Sequence, residues 1–506
     1  MRRLPALFVA VAMVLGGFVL VPVASRAASP ANGELCGKRD LPETGLQGDQ
    51  PRRDQLSGRA EKGYNCGVAL VGHTDLGGRS GNANMAWAGN CAYVAGIGTG
   101  IAVVDVSNPR QPKFVTTLHG AGSDLTIETI SATKVGDRAV LVAGRYGLLP
   151  LPIGAPMDIY DVRDCAHPKL MSTFQYPSNI HNLTFSPDGT RVYSTLPLQV
   201  LDIRDLAHPK LLGNLDDQIP QPTFDPSGHA KYLAHEVWTS PDGNLLYLGG
   251  QTPTFSTFQI VDITGWPARP PKVLSQVEGR GHSVRLATIN GRTYMLHSEE
   301  SVVDPTAKGC IDKKLNPFSG PAQPWLSDVT DPRRPIMRIS QFKLEINAPL
   351  HCSTQVYDGV NASVHYHDVD DPKHTTFAML SMWNAGVRIV DLRGPHEMKE
   401  VGYFNPGTYA DRAGEVLDKA WGHIRYLPDS GYLWFVTETG GFWVVELEPQ
   451  VRAHLGLPAK TPVNPDGAPG REPTGVLVLP AAEPAIRRDT VLYYCTLGLA
   501  KAAASQ

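Results

Sequence analysis

The sequence predicts an all-β chain folded as a seven-bladed β-propeller of four-stranded antiparallel blades, the last blade closed by an N-terminal strand. Three observations carry the prediction. One phrase, "GIGTGIAVVDVSNPRQPKFVTTL" at 96–118, recurs along the chain. Each copy follows a pair of strands joined by a tight turn, and one early strand stands without a partner in its own unit.

In the phrase an apolar strand ends in Val-Asp, a Ser-Asn-Pro turn follows, and a second strand begins after Pro112. It returns as "MDIYDVRDCAHPKLMSTF" from Met157, "LQVLDIRDLAHPKLLGNL" from Leu198 and "FQIVDITGWPARPPKVLSQV" from Phe258. Further copies are "PWLSDVTDPRRPIMRISQF" from Pro324 and "VRIVDLRGPHEMKEVGYF" from Val387, with a partial copy, "FWVVELEP", from Phe442. Such self-similarity marks a repeat architecture and outranks any local motif. The repeated aspartates Asp105, Asp161, Asp202, Asp262, Asp328 and Asp391 are expected to accept backbone hydrogen bonds in their turns rather than to do chemistry.

The strand pair ahead of each copy is clearest in "LTFSPDGTRVYSTL" at 183–196 and "VWTSPDGNLLYLGG" at 237–250, where alternating residues flank a Pro-Asp-Gly turn. Four strands per unit and seven units imply a propeller, because blades around an axis cover one another's faces. The last unit lacks an outer strand after "FWVVELEP". The unpartnered "CGVALVGHTDLGG" at 66–78 is expected to supply it and to tie the ends of the domain together.

The phrases "IAVVDVSNPRQP" and "VRIVDLRGP" resemble the LVIVD repeat of exported bacterial β-propeller proteins, over about residues 64–449. The resemblance implies the fold and almost nothing about activity. Residues 1–28 read as an export signal, with Arg2 and Arg3 ahead of an apolar run ending in small residues. The expected location is therefore secreted or cell-surface, with membrane contact only through an uncleaved signal. Residues 29–63 form a polar leader, either ordered on contact or a flexible arm, and residues 450–506 a Pro/Gly-rich linker and C-terminal tail.

A net charge of −3 gives no basic surface for nucleic acid. Seven cysteines without a C-x-x-C pair argue against a thiolate metal site and suit disulfides outside the cytoplasm, with Cys310 and Cys352 a candidate pair. No P-loop, G-x-S-x-G elbow, H-E-x-x-H or EF-hand pattern occurs, so no nucleotide cofactor is expected.

A second repeat emerges when the units are aligned on the tight turn. His181, His235, His282 and His365 each lie twelve residues before the aromatic of the second strand, and His423 lies eleven before Trp434. Unit two places Glu128 at this position and unit one Asn82. The position opens the innermost strand, where a propeller brings equivalent residues toward one axis. Converging imidazoles with a carboxylate can hold copper, iron or zinc. His181, His235, His282, His365, His423 and Glu128 are accordingly the candidate metal ligands, with Glu236, His367 and His351 as supporting groups.

The competing reading is structural, since "GHSVR" and "GHIRY" resemble the Gly-His pair that braces WD-repeat blades. Histidine-lined propeller axes also occur in carotenoid oxygenases, nitrous oxide reductase and the selenium-binding family, a similarity in histidine placement alone. The sequence thus predicts an exported propeller binding a transition metal, an oxidoreductase if it is an enzyme, acting on a small molecule in the central channel. A lactonase-type hydrolase is the next reading, on Glu128 and His423 as bases. The alternative is a non-catalytic propeller that binds a cell-surface protein or polysaccharide through insertions at 301–323 and 345–363.

Overall fold

A computed structural model describes residues 35–146, 154–220, 233–251, 256–279, 281–299, 322–411 and 414–458. The signal segment at 1–28 and the tail beyond 458 lie outside these residues, as does most of the insertion at 301–323. Seven antiparallel sheets form the propeller ring. Blade one has strands Asn82–Ala88, Cys91–Gly96, Ile101–Asp105 and Lys113–Leu118. Blades two to five repeat this order from Ile130, Leu183, Leu233 and Ser283. Blade six begins at His367 and blade seven at Arg425.

The unpartnered early strand closes the ring. Val68–Thr74 pairs antiparallel with Gly441–Leu447, from Val68 opposite Leu447 to Thr74 opposite Phe442. Blade six carries an addition the repeat gives no sign of. Tyr64–Cys66 pairs with Lys399–Asn405, so that this sheet has five strands. The polypeptide therefore stitches blades six and seven together with two successive short strands.

Why the blades stack is visible in the alternation of the third strand. In Ile101–Asp105 the residues Ile101 to Val104 are all fully buried, because both faces of a blade are covered by neighbours. Ile101 and Val103 pack toward blade two, and Ala102 and Val104 toward blade seven. Each blade then turns on its aspartate. The backbone N–H two residues on donates to Asp105, Asp161, Asp202, Asp262, Asp328 and Asp391 at 2.8–3.0 Å. The scaffold role read from the repeat is the one the turns display.

Two readings of the flanks change. Residues 35–62 of the leader are ordered, with a helix at Arg52–Ser57 and a 3-10 turn at Ala60–Lys62. They pack on blade six, where Arg388 reaches Glu43 and lies 3.3 Å from Glu400. Cys36 bonds to Cys66 in a disulfide. At the other end, the linker expected from 450 begins instead as a helix, Pro449–Leu455. Proline suits its first turn, and Val451 and Leu455, four apart, bury one face on blades six and seven before Gly456 ends it. The second insertion carries a helix as well, Cys352–Asp358. Cys91 pairs with Cys165. Cys352 is disulfide-bonded too, and the Cys310 half of the expected pair lies outside the described residues.

Candidate metal centre

Inner strands of neighbouring blades lie against one another around the ring, which sets the residue at the head of each strand beside its counterpart. Backbone crowding explains the glycine that precedes two of the histidines. A Cβ on Gly281 would fall 2.3 Å from Gly250 N and 2.4 Å from Thr257 O, and one on Gly422 2.8 Å from Ala83 O. Glycine is needed there so that His282 and His423 can follow the turn inward.

Four of the five histidines make a continuous arc from blade three to blade six. Ring centroids of His181 and His235 are 4.2 Å apart, those of His235 and His282 4.2 Å, and those of His282 and His365 4.5 Å. Glu128, from blade two, is buried beside them. Its Oε2 lies 3.1 Å from His181 Nε2 and 3.9 Å from His235 Nε2, while Oε1 lies 3.4 Å from His365 Nε2. His181 Nε2 is 2.7 Å from His235 Nε2. One ligand atom each from Glu128, His235 and His282 falls within 4.8 Å of the other two.

Protonation follows from these surroundings. Complete burial pushes the Glu128 carboxyl upward, but His181, His365 and His235 more than offset it and hold the group well below the usual carboxylate range. It is an anion. Burial, then the neighbouring imidazoles, holds His235 and His282 well below the ordinary histidine value, so both are neutral.

Tautomers can be read from the carbonyls nearby. His282 Nδ1 lies 3.1 Å from His365 O and His365 Nδ1 lies 2.7 Å from Trp421 O, so in each ring the carbonyl accepts the Nδ1 proton. The Nε2 lone pairs are then left for the interior of the cluster. His282 Nε2 is buried with no hydrogen-bond partner among the described residues. Such an orphan acceptor beside a buried carboxylate and other imidazole nitrogens is what a divalent cation would satisfy.

The cluster is closed on its flanks. Trp383 and Trp421 stack on each other at 5.6 Å and stand 5.1 and 5.3 Å from His365, and Tyr146 is 4.7 Å from His181. Tyr366, unnoticed in the sequence, donates its hydroxyl to Glu128 Oε2 at 2.7 Å and accepts from Asn182 Nδ2 at 3.0 Å. The Asn182 sequon is thus a buried structural amide, as expected beside an inner-strand histidine.

His423 stands elsewhere. Its ring nitrogens lie 2.8 and 2.9 Å from Arg285 Nη2, and Nδ1 is 3.2 Å from Asp368 Oδ2. Arg285 in turn bridges Glu236 at 2.8 Å and Asp368 at 2.9 Å. These four residues form a second polar layer, separated from Glu128 by the Tyr366 ring, which packs 4.2 Å from His423. The missing residue between His423 and Trp434 moves this histidine one step along its strand. Asn82 braces the first blade, accepting from Arg79 and donating to Thr437 O, and His351 lies in a turn of the second insertion. His367 is buried and neutral, held down to about 3 by burial.

An Arg285 in "GHSVR" and an Asp368 in "HYHDV" give the only trace of the second layer in the sequence: charged residues on strands otherwise buried.

Comparison with known proteins adds fold rather than chemistry. The LVIVD repeat family matches residues 80–119, the whole of blade one. No curated protein matches the chain. Among solved structures, a chain from the crystal structure of a mitotic checkpoint complex is 14% identical, with a TM-score of 0.44, covering 82% of this chain and 99% of its own. Together with the seven sheets and their closing strand, the repeat match makes this chain an LVIVD-repeat protein built as a seven-bladed β-propeller.

Proposed function

We propose that the protein is an exported metalloprotein whose axial Glu128, His181, His235, His282 and His365 bind one transition-metal ion. The observation that carries this reading is the pair of fixed tautomers: His282 and His365 give their Nδ1 protons to carbonyls and turn Nε2 toward a buried carboxylate. Two lone pairs facing an anion in a closed site repel one another unless a cation lies between them. A nitrogen-rich set with one carboxylate fits copper, iron or zinc. The five disulfide-bonded cysteines support an oxidising compartment, and so export.

When bound, a redox-active ion would supply one-electron chemistry, and the protein's part is to hold the site dry and to position Tyr366 and His423 on the side facing solvent. An oxidoreductase acting on a small molecule is the activity this arrangement favours. The test is to load chelator-treated protein with one equivalent of Cu(II) and record its electron paramagnetic resonance spectrum. Hyperfine splitting from three or more nitrogens, reduced in His282→Ala, supports the site. A spectrum of aqueous or surface-bound copper contradicts it, and leaves the decorated face as a binding surface.

A further inference from the structure

A cavity of about 620 Å³ opens on the far side of Tyr366, and inner-strand residues of all seven blades line it. Its volume is that of a small-molecule site. At the floor lie Asn182, Glu236, Arg285, Asp368 and His423. Half-buried indoles of Trp87 and Trp238 stand in the wall, three blades apart. Arg285 lies 4.2 Å from the Trp238 ring centre and Arg425 6.0 Å from that of Trp87, which fixes both rings before any ligand arrives.

The floor is polar but already satisfied. Glu236 accepts from Val284 N at 2.7 Å and from Arg285, and Asp368 accepts from Ile424 N at 2.8 Å and from Arg285. Arg285 also donates to Val284 O and to the His423 ring. These bonds tie blade four to five and blade six to seven, and they leave no charge to recruit an ion.

Charge along the axis points the same way. Glu128, Glu236 and Asp368 are three anions against the one cation of Arg285, with the histidines taken as neutral. A divalent metal in the cluster brings the formal sum to zero, so an ionic guest in the dry cavity would have no counter-charge. What remains for recognition is the pair of indoles and the hydroxyls of Ser131, Thr133 and Thr239 on the wall.

We infer that this cavity binds an uncharged aromatic molecule bearing hydroxyl groups, a phenol in the simplest case. The inference rests on the metal reading through the charge balance. Its test is calorimetric titration with 4-ethylphenol, benzoate and benzyltrimethylammonium, on copper-loaded and on chelator-treated protein. On the loaded protein the phenol is expected to bind at least tenfold more tightly than either ion. Trp238→Ala is expected to weaken it at least tenfold, and Ser131→Trp, which fills the cavity from a half-exposed wall position and keeps the indole network, to abolish it.

After chelation the axis is net negative, and only the ammonium ion is expected to gain affinity. Phenol binding that persists in Ser131→Trp, or an ion that matches the phenol on loaded protein, overturns the inference. If the protein takes up no copper, the metal reading fails alone: phenol binding lost in both variants still upholds the cavity, and its absence overturns that too.

Discussion

Glu128→Gln tests the charge at the centre of the axis with the least change in shape. The amide keeps an oxygen for the Tyr366 hydroxyl, now 2.7 Å from Glu128, and fills the same volume. Metal-free protein is therefore expected to lose no more than about 1.5 kcal/mol, the net worth of an ordinary hydrogen bond. Metal binding is another matter, because Glu128 is the one carboxylate grouped with His235 and His282 among the described residues. Loss of an outer partner of a ligand costs 10–100-fold in affinity, so loss of the anionic ligand itself is set at about 100-fold.

Linkage converts this into stability. At a metal concentration one hundred times the wild-type Kd, binding stabilises the wild type by about 2.7 kcal/mol and the variant by only about 0.4 kcal/mol. Chemical denaturation with and without metal measures the difference, about 2.3 kcal/mol. Equal metal-induced stabilisation of the two proteins would refute a role for the carboxylate, and none in either would refute the site.

Other consequences concern the scaffold. Arg285→Met leaves Glu236 and Asp368 buried without their cation and is expected to cost about 3–5 kcal/mol in urea denaturation. A loss under 1 kcal/mol would show that the layer is not an ion network. The leader is expected to loosen in alkali. Burial, then Asp358, raises Asp49 to about 7, and burial, against Arg388 and with Glu43, raises Glu400 to about 7. Their folded-state values exceed the unfolded ones, so the stability they lend is complete at acid pH and is lost as pH rises through about 7. Hydrogen exchange at 43–50 should be faster at pH 8.5 than at pH 6 after correction for intrinsic rates, and unchanged protection would contradict this. Replacing Cys36 and Cys66 by Ala releases a 30-residue crosslink, worth roughly 3–4 kcal/mol on the chain-entropy account. Unaltered unfolding of that variant would show that the leader adds nothing to the domain.

The ring was legible because its signal is written seven times. The Val-Asp turn, the Pro-Asp-Gly hairpin and the unmatched strand near Val68 each follow from strand alternation and turn chemistry, which are local. The cluster was partly legible for the same reason: Glu128, His181, His235, His282 and His365 share one register, and the fold turns a shared register into a shared place. Tyr366 and Arg285 carry no repeat. Their importance arises from contacts between blades far apart in the sequence, such as Tyr366 with Glu128, 238 residues away. The helix at Pro449–Leu455 was obscured by the Pro/Gly-rich composition that follows it, though Val451 and Leu455 have helical spacing. The fifth strand of blade six is three residues long and has no pattern to detect.

Elemental analysis of the purified protein, beside a variant with His181, His235 and His282 all changed to Ala, is the most direct test of the axial centre. The account predicts close to one equivalent of copper, iron or zinc in the wild type, and its loss in a variant that keeps the β-sheet circular dichroism spectrum. Absence of metal from the wild type, even after incubation with all three ions, or retention of one equivalent by the folded variant, would contradict it.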